Sequence, residues 1–262
     1  MQYRRLIPVL FIMNGLIVRS EDFSTHQIIG NIINEAARYN QWNVDELIYI
    51  DISRDKTYDS RRDDHKIKAV DSIESIITEI SKVCFMPMTF GGGIKSISDV
   101  DLRIRTGADK VVINSAAYHS PALVPEIARK YGSQCCVISA DYRVVDNKPV
   151  LFTDFGTNNT GVPIIDWVKE CQEMGAGEIF LHAIDRDGKA CGYDFDTISD
   201  VTAATHLPVI ACGGAADVDD FIDVYEETNV AAVAAGNMFH FTERAYPRAK
   251  KDLLREKIHV RP

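Results

Sequence analysis

Residues 89–115 read TFGGGIKSISDVDLRIRTGADKVVINS and hold a strand, a helix and a second strand in succession. The first apolar strand runs into three glycines at 91–93, and the second ends at Asn114 and Ser115. Glycines at the end of a strand let main-chain N–H groups approach a ligand closely, and the N-terminus of the helix that follows favours negative charge. These glycines therefore predict a phosphate-binding loop.

The same pattern recurs in residues 211–237, ACGGAADVDDFIDVYEETNVAAVAAGN. In an ungapped overlay Gly91 and Gly92 fall on Gly213 and Gly214, and Asn114 falls on Gly236. The glycines coincide with both strand ends, which indicates a chain of two similar halves, each with its own phosphate site.

The composition limits the class of protein. With 262 residues, 46% of them hydrophobic, and no Gly/Ser/Pro linker, the chain is expected to form one domain over residues 1–262. A net charge of −9 argues against nucleic acid as a partner, whereas small phosphorylated ligands need only local donors. The short apolar run near the N-terminus and the absence of a membrane-length run predict a cytoplasmic protein. Six cysteines without a C-x-x-C pair predict reduced core thiols, with neither disulfides nor a metal site. We expect no cofactor.

Strand-like and helix-like segments alternate along the whole chain, and the count of eight of each is typical of a (β/α)8 TIM barrel, an α/β fold. The half-barrels are expected at about residues 1–132 and 133–262. The predicted strands are 6–12, 47–52, 86–90, 111–114, 135–140, 179–183, 209–212 and 231–235. Besides the helix of the quoted segment, predicted helices lie near 31–42, 69–82, 121–131, 163–174, 195–205, 218–227 and 243–256. In this fold the chemistry sits at the carboxyl ends of the strands.

Two loops at these strand ends are longer than a barrel needs. Residues 53–68 are densely charged, and we interpret their central charges as a solvated excursion. Residues 141–160 contain a predicted hairpin with a turn at Asp146 and Asn147. Long loops on this face usually serve as lids or rims.

Several segments together resemble the cyclase subunit of imidazole glycerol phosphate synthase. They are GGGI, GADKVVINSAA, YGSQCCVISAD, GAGEIFLHAIDRDGKACGYD and VIACGGA, and the resemblance runs from Arg5 to about Val260. It implies a ligand with a phosphate at each end and a glutaminase docked under the barrel that delivers ammonia through its centre. The phosphate sites that it implies are Gly92, Gly93, Asn114 and Ser115 in the first half, and Asp187, Gly188, Gly214, Gly236 and Asn237 in the second. Position 237 carries Asn, and position 212 carries Cys, where the family has serine.

The family's reaction uses two carboxylates at matching strand ends as a general acid and base pair, because one group must take a proton while the other gives one. Asp141 supplies the member on strand five, but Phe11 occupies the matching place on strand one. Phenylalanine cannot transfer a proton. His182 stands where the family has threonine and can titrate near neutrality. Asp51 matches the family, and Arg19 replaces a lysine.

Charged residues also stand at the beginnings of strands, and in the family these positions form the salt-bridged gate of the ammonia passage. The gate residues that the resemblance implies are Arg5, Glu46, Lys110 and Glu178. Asp109 matches a position that faces the glutaminase. Ion pairs that merely seal the barrel floor are the commoner explanation for such charges. Phe11 replaces a carboxylate at the carboxyl ends of the strands, whereas all four charged residues at the opposite end of the barrel are retained. This contrast favours the interpretation of these charges as a gate for ammonia.

Three functional hypotheses follow. The first is a paralogue that receives ammonia from the glutaminase and amidates a phosphate-bearing, nucleotide-activated sugar for surface polysaccharide. In it Asp141 is the surviving acid or base, His182 a second one, and Asp51 a ligand or water orienter. The second is the ordinary cyclase subunit of histidine biosynthesis, with Phe11 tolerated. The third is a non-catalytic scaffold that activates the glutaminase.

Overall fold

Eight parallel strands form a closed barrel in the computed structural model, which describes residues 3–55, 57–58, 70–240 and 244–261. The barrel strands are β1 (Arg5–Met13), β4 (Leu47–Asp51), β5 (Met88–Gly91), β6 (Lys110–Ile113), β7 (Cys136–Val145), β10 (Glu178–Ala183), β11 (Val209–Cys212) and β12 (Ala232–Ala235). Neighbours pair in this order, β12 pairs with β1, and β7 pairs directly with β10, so the ring has no open edge. The predicted (β/α)8 barrel is confirmed. The single domain and the duplication of half-barrels stay predictions.

Helices cover the outside of the ring, and their ends follow local sequence signals. Their bounds are α1 (Ile32–Gln41), α2 (Ile73–Ser81), α3 (Ile97–Thr106), α4 (Ser115–His119), α5 (Leu123–Tyr131), α6 (Ile164–Met174), α7 (Phe195–Ala204), α8 (Val218–Glu227) and α9 (Ala245–Arg255). Helix α3 of the quoted segment begins after Ser96, which forms a capping box with Asp99. Helix α2 begins after Ser72, later than predicted, because Ser72 caps it through Ser75. The short helix α4 was not predicted.

The alternation of side chains along β1 shows how the barrel fills its interior. Ile7, Val9 and Phe11 belong to the cluster inside the barrel, whereas Leu6 and Leu10 belong to the layer between barrel and helices. Successive residues of a strand point to opposite faces, so odd-numbered positions of β1 face inward. This periodicity brings Phe11 onto the same face of the strand as Arg5.

The segment after β1 is not the loop that the sequence predicted. Residues 16–31 form an antiparallel hairpin, β2 (Leu16–Glu21) and β3 (Thr25–Asn31), and β2 pairs with the upper part of β1. Asp22 and Phe23 have φ angles of 56° and 52° at its turn. Phenylalanine rarely adopts a positive φ, so the sequence carried no turn signal there.

The predicted hairpin after β7 is confirmed and has an additional strand. Strand β7 pairs with β8 (Lys148–Thr153), and Asp146 and Asn147 between them have φ angles of 48° and 61°, as a two-residue turn of this kind requires. Strand β9 (Asn158–Pro163) then pairs with β8. Of the charged loop at 53–68, residues 56 and 59–68 lie outside the described residues. In the part of the chain that is described, no helix is both long and apolar enough to cross a membrane.

Candidate functional site

The carboxyl ends of the strands surround a cavity of about 440 Å³. Asp51, Asp141 and His182 all line it, so the structure brings together three of the residues that the sequence singled out. His182 on β10 lies directly beside Asp141 on β7 in the strand register. Both side chains are almost fully buried. Most of the lining surface is apolar, which strengthens electrostatic interactions between groups inside the cavity.

The Asp141 carboxylate is oriented from below by its own strand. The Ser139 hydroxyl donates a hydrogen bond of 2.6 Å to its Oδ1, and the Nδ1 atom of His182 lies 3.8 Å from the same oxygen. On the far side of the ring, the Nε2 atom of His182 lies 3.8 Å from Oδ1 of Asp187. The imidazole is thus held between two carboxylates. Burial by itself would lower the pKa of His182, but Asp141 and Asp187 raise it to about 9.

Asp51 is held by the segment that follows β4. Its Oδ1 accepts hydrogen bonds from the main-chain N–H and the hydroxyl of Ser53, and its Oδ2 accepts one of 2.7 Å from the Tyr58 hydroxyl. Burial, together with the hydrogen bond to this carboxylate, raises the pKa of Tyr58, so the phenol stays protonated and donates. Asp51 is therefore a fixed acceptor at the wall of the cavity.

Phe11 lies inside the barrel next to His182. Its ring is 3% exposed, and its centroid is 6.0 Å from the imidazole and 5.6 Å from the ring of Phe23. Phe23 comes from the turn between β2 and β3, lines the cavity and also touches His182 edge to face, with centroids 5.3 Å apart. The position across from Asp141 that the sequence assigned to Phe11 is thus filled by an aromatic cluster around the histidine.

The predicted phosphate loop of the first half lies at one end of the same cavity. Gly92, Gly93, Asn114 and Ser115 all line it. The Asn114 amide donates to the carbonyls of Ser139 and Phe152, 3.1 Å away in each case, so this side chain is engaged in shaping the loop. The candidate donors for a phosphate are therefore the main-chain N–H groups near the start of α4 and the glycines.

Lys95 and His119 also line this cavity, and neither was predicted as a site residue from the sequence. His119 ends α4, and its Nε2 lies 3.0 Å from Asp154 Oδ2 on the β8–β9 turn. Lys95 follows the glycine run by two residues, and that proximity is the signal that could have found it. The Lys95 side chain offers local positive charge for an anion although the whole chain is acidic.

Replacing Gly92 with alanine should destabilise the protein more than replacing Gly93. Both residues have positive φ, 94° and 65°, which costs a side chain about 1–2 kcal/mol. A Cβ on Gly92 would also lie 2.0 Å from the Asp51 carbonyl, whereas a Cβ on Gly93 would meet only the Arg103 guanidinium at 3.7 Å. Thermal unfolding of both variants measures this difference. Equal midpoints would contradict the close approach of Gly92 to β4.

A second cavity, of about 530 Å³, lies at the opposite side of the strand ends. Gly188 and Asn237 line it, together with Arg19 and Arg248. Arg248 on α9 is a cation that was not predicted as a site residue from the sequence. The cavities share none of the lining residues that the structure describes.

The other predicted members of the second phosphate site lie close to this cavity without lining it. Gly214 follows β11, and its main-chain carbonyl accepts a hydrogen bond from the Gly192 N–H. Gly236 follows β12. The Asp187 side chain points instead toward His182.

Asn237 joins the β2–β3 hairpin to the second cavity. Its amide nitrogen donates a 2.6 Å hydrogen bond to the Ser20 carbonyl, and its amide oxygen accepts one of 3.3 Å from the Ser20 N–H. A serine is too short to make both bonds at once. The asparagine that departs from the family pattern therefore fixes the hairpin beside the cavity.

At the opposite end of the barrel, the four predicted gate residues form a closed ring of ion pairs. Arg5 Nη1 lies 2.7 Å from Glu46 Oε2, and its other terminal nitrogen contacts Glu178. Lys110 Nζ lies 2.9 Å from Glu46 Oε1 and 3.0 Å from Glu178 Oε2. Each cation thus touches both anions.

The charges in this ring stabilise one another. Burial by itself would raise the pKa of Glu46 and lower that of Lys110. The opposite charges around them win in both cases, so the pKa of Glu46 falls and that of Lys110 rises. Glu46 and Lys110 are therefore both charged at neutral pH.

Asp109 lies exposed on the same floor, just before β6. Its carboxylate accepts a 2.8 Å hydrogen bond from the Met88 N–H at the start of β5. A contact between Asp109 and a glutaminase stays a prediction.

Comparison with known sequences agrees with this architecture. The profile of the family described as "Histidine biosynthesis protein" matches residues 5–244. The imidazole glycerol phosphate synthase subunit HisF of Natranaerobius thermophilus is 35% identical over 258 residues, covering 98% of each chain. The chain belongs to the HisF family.

Two further HisF subunits show the same extent of similarity. That of Bacillus cereus is 36% identical over 259 residues, covering 98% of each chain, and that of Streptococcus mutans is 33% identical over 259 residues, covering 98% of this chain and 99% of the relative. The similarity thus extends over nearly the whole length of these enzyme subunits. These relatives support the hypothesis of a cyclase subunit of histidine biosynthesis rather than the hypothesis of sugar amidation.

Proposed function

We propose that this chain is the ammonia-accepting cyclase subunit of an imidazole glycerol phosphate synthase, with a glutaminase docked on the amino-terminal face of the barrel. The observation that carries the proposal is the alignment of three features along one barrel: the ion-pair ring at the floor, an apolar interior and a cavity with acid–base groups at the top. The names of the relatives point to the same reaction.

The interior between floor and cavity suits neutral ammonia. Ile7, Val9, Ile48, Val137 and Phe180 belong to the cluster that fills it. An ammonium ion would lose its hydration there, whereas uncharged ammonia is far less costly to bury. The ring of Arg5, Glu46, Lys110 and Glu178 would then open to admit ammonia and close against water.

The cavity offers both members of an acid–base pair despite Phe11. Asp141 can accept a proton, and His182 beside it carries one at neutral pH because its pKa is about 9. We propose that His182 supplies the proton that a carboxylate at position 11 cannot. Asp51 would hold a water molecule or a polar group of the substrate against the wall.

Cations at both cavities support a phosphorylated substrate. Lys95 stands beside the glycine loop of the first cavity, and Arg19 and Arg248 line the second. A ligand with a phosphate at each end would place one in each cavity, with its reacting part near Asp141.

The test is turnover of the family's aminoimidazole carboxamide ribonucleotide substrate by the purified chain with an ammonium salt. We expect formation of imidazole glycerol phosphate, and His182→Gln should reduce its rate by roughly 10²-fold or more, the scale of general acid catalysis. A control substitution, His206→Gln, changes an exposed histidine after α7 and should have no effect. Absence of turnover would overturn the proposal.

One observation, the burial of Phe11 against His182, favours a second candidate function. In it the chain delivers ammonia to a different phosphate-bearing acceptor, such as a nucleotide-activated sugar. Phe11→Asp separates the candidates in the same assay. A gain in cyclase activity from an inactive parent supports the second. A loss of cyclase activity supports the first candidate, the cyclase subunit. In that case the substitution removes a packed ring, which lowers the free energy of unfolding by about 3–5 kcal/mol.

A further inference from the structure

We propose that Asp187 is a positioning residue for His182, which it holds in the doubly protonated form between two carboxylates, and that it is not a side-chain ligand of the second phosphate. The proposal rests on the acid–base role of His182 in the proposed function and deepens it. It also reassigns a residue that the resemblance placed in the phosphate site.

The geometry around the imidazole selects its protonation state. Nδ1 lies 3.8 Å from Asp141 and Nε2 lies 3.8 Å from Asp187, so each ring nitrogen faces a carboxylate oxygen. A neutral imidazole has one N–H and one lone pair, and its lone pair would point at a negative charge. Only the imidazolium presents an N–H to both sides.

The surroundings offer His182 few alternatives to these carboxylates. Nε2 of His182 and Oδ2 of Asp187 are each buried without a hydrogen-bond partner. Nε2 lies 3.8 Å from the other oxygen of this carboxylate, Oδ1, which is an ion-pair distance longer than a hydrogen bond. The rings of Phe11, Phe23 and Phe180 pack around the imidazole, and His182 is 1% exposed. A buried pair of carboxylates in such a place needs a cation between them.

Other titratable groups also face this cluster. Burial and the charges of Asp187 and Asp141 raise the pKa of the Cys212 thiol on β11, so the thiol stays neutral. Burial lowers the pKa of His26 on β3, which Asp187 partly offsets. The cation that Asp141 and Asp187 share is therefore the imidazolium.

Asp187 is poorly suited to bind a phosphate through its side chain. A carboxylate repels a phosphate, and Asp187 does not line the second cavity, whereas the adjacent Gly188 does. Burial would raise the pKa of Asp187, but protonated His182, the Ser20 hydroxyl and the Phe23 N–H lower it. The carboxylate thus stays charged in contact with the imidazole.

The same residue ties the histidine to the β2–β3 hairpin. The Asp187 carbonyl accepts a 2.8 Å hydrogen bond from the Asp22 N–H, next to Phe23 at the turn. The turn that places Phe23 on the imidazole is therefore attached to the residue that keeps the imidazole charged. The hairpin held in this position keeps the Phe23 ring packed against the imidazole.

The test measures the titration of His182 by NMR of the histidine side chains in the full-length wild-type chain, with His182→Gln to assign the signal. We expect the wild-type imidazole to stay protonated through neutral pH and to titrate in the alkaline range. Asp187→Asn removes one of its two anions, so the imidazole should lose its proton at a lower pH. The control Asp252→Asn changes an acidic residue that lines the second cavity, and the titration of His182 should not move.

Turnover adds a second readout. In Asp187→Asn the alkaline limb of the activity profile should move to lower pH, with KM for the phosphorylated substrate changed less than about threefold. A KM raised tenfold or more with an unmoved limb would identify a phosphate ligand and overturn the proposal, as would a wild-type His182 that is neutral at pH 7. Because the NMR titration needs no turnover, failure of the cyclase assay leaves this result readable.

Discussion

Asp141→Asn is expected to lower product formation by about 10²–10⁴-fold, the contribution of a positioned acid or base. Asparagine keeps the shape of the side chain and can still accept the hydrogen bond from Ser139, but it cannot take up a proton. Among the ion pairs that the structure describes, the partner of Asp141 is His182, within 4 Å. The rate of product formation with saturating ammonium salt measures the effect.

A matched control makes the same chemical change elsewhere. Asp146 lies at the turn between β7 and β8 with a φ of 48°, where asparagine is equally acceptable. Asp146→Asn should leave the rate unchanged. Full activity in Asp141→Asn together with an intact glutaminase response would instead favour the scaffold hypothesis, in which the barrel only activates its partner.

Lys110→Met is expected to uncouple glutamine-dependent from ammonium-dependent activity, with the former falling by tenfold or more relative to the latter. The substitution removes the cation that bridges Glu46 and Glu178 and leaves two buried carboxylates next to one arginine. Removing one partner of a fully buried ion pair costs about 3–5 kcal/mol. Because the Lys110 side chain is 21% exposed, we expect about 1–3 kcal/mol here.

Parallel assays with glutamine plus the glutaminase and with ammonium salt alone measure this ratio. Lys130→Met is the control, since Lys130 pairs with Asp101 on the outside of the barrel with its side chain 45% exposed. It should change neither activity. If Lys110→Met lowers both activities equally, the ring seals the floor without acting as a gate, which was the commoner explanation for such charges.

The phenylalanine at position 11, where the family has a carboxylate, is interpreted differently from the structure than from the sequence. In the sequence, Phe11 reads as the loss of a proton carrier opposite Asp141. In three dimensions the ring lies against His182, which the family pattern does not have at this position. The aromatic rings pack against the imidazole, and the two carboxylates beside it raise its pKa. In the proposed mechanism, His182 therefore supplies the acid that position 11 has lost.

Features that depend on local sequence were predicted from the chain alone. The alternation of strand-like and helix-like segments predicted the closed barrel. The turn at Asp146 and Asn147 followed from residues that accept a positive φ. Each of these depends on the conformational preferences of neighbouring residues, which a sequence shows directly.

The arrangement around His182 required the folded barrel. Asp141, His182 and Asp187 lie on two different strands and a loop, and only ring closure between β7 and β10 sets the distances between them. The β2–β3 hairpin was likewise unpredicted, because its strand β3 is half exposed and its turn carries a phenylalanine. The sequence by itself determined which residues face into the barrel. The tertiary structure decided which of them meet, since contacts between distant segments depend on strand register and ring closure rather than on local preference.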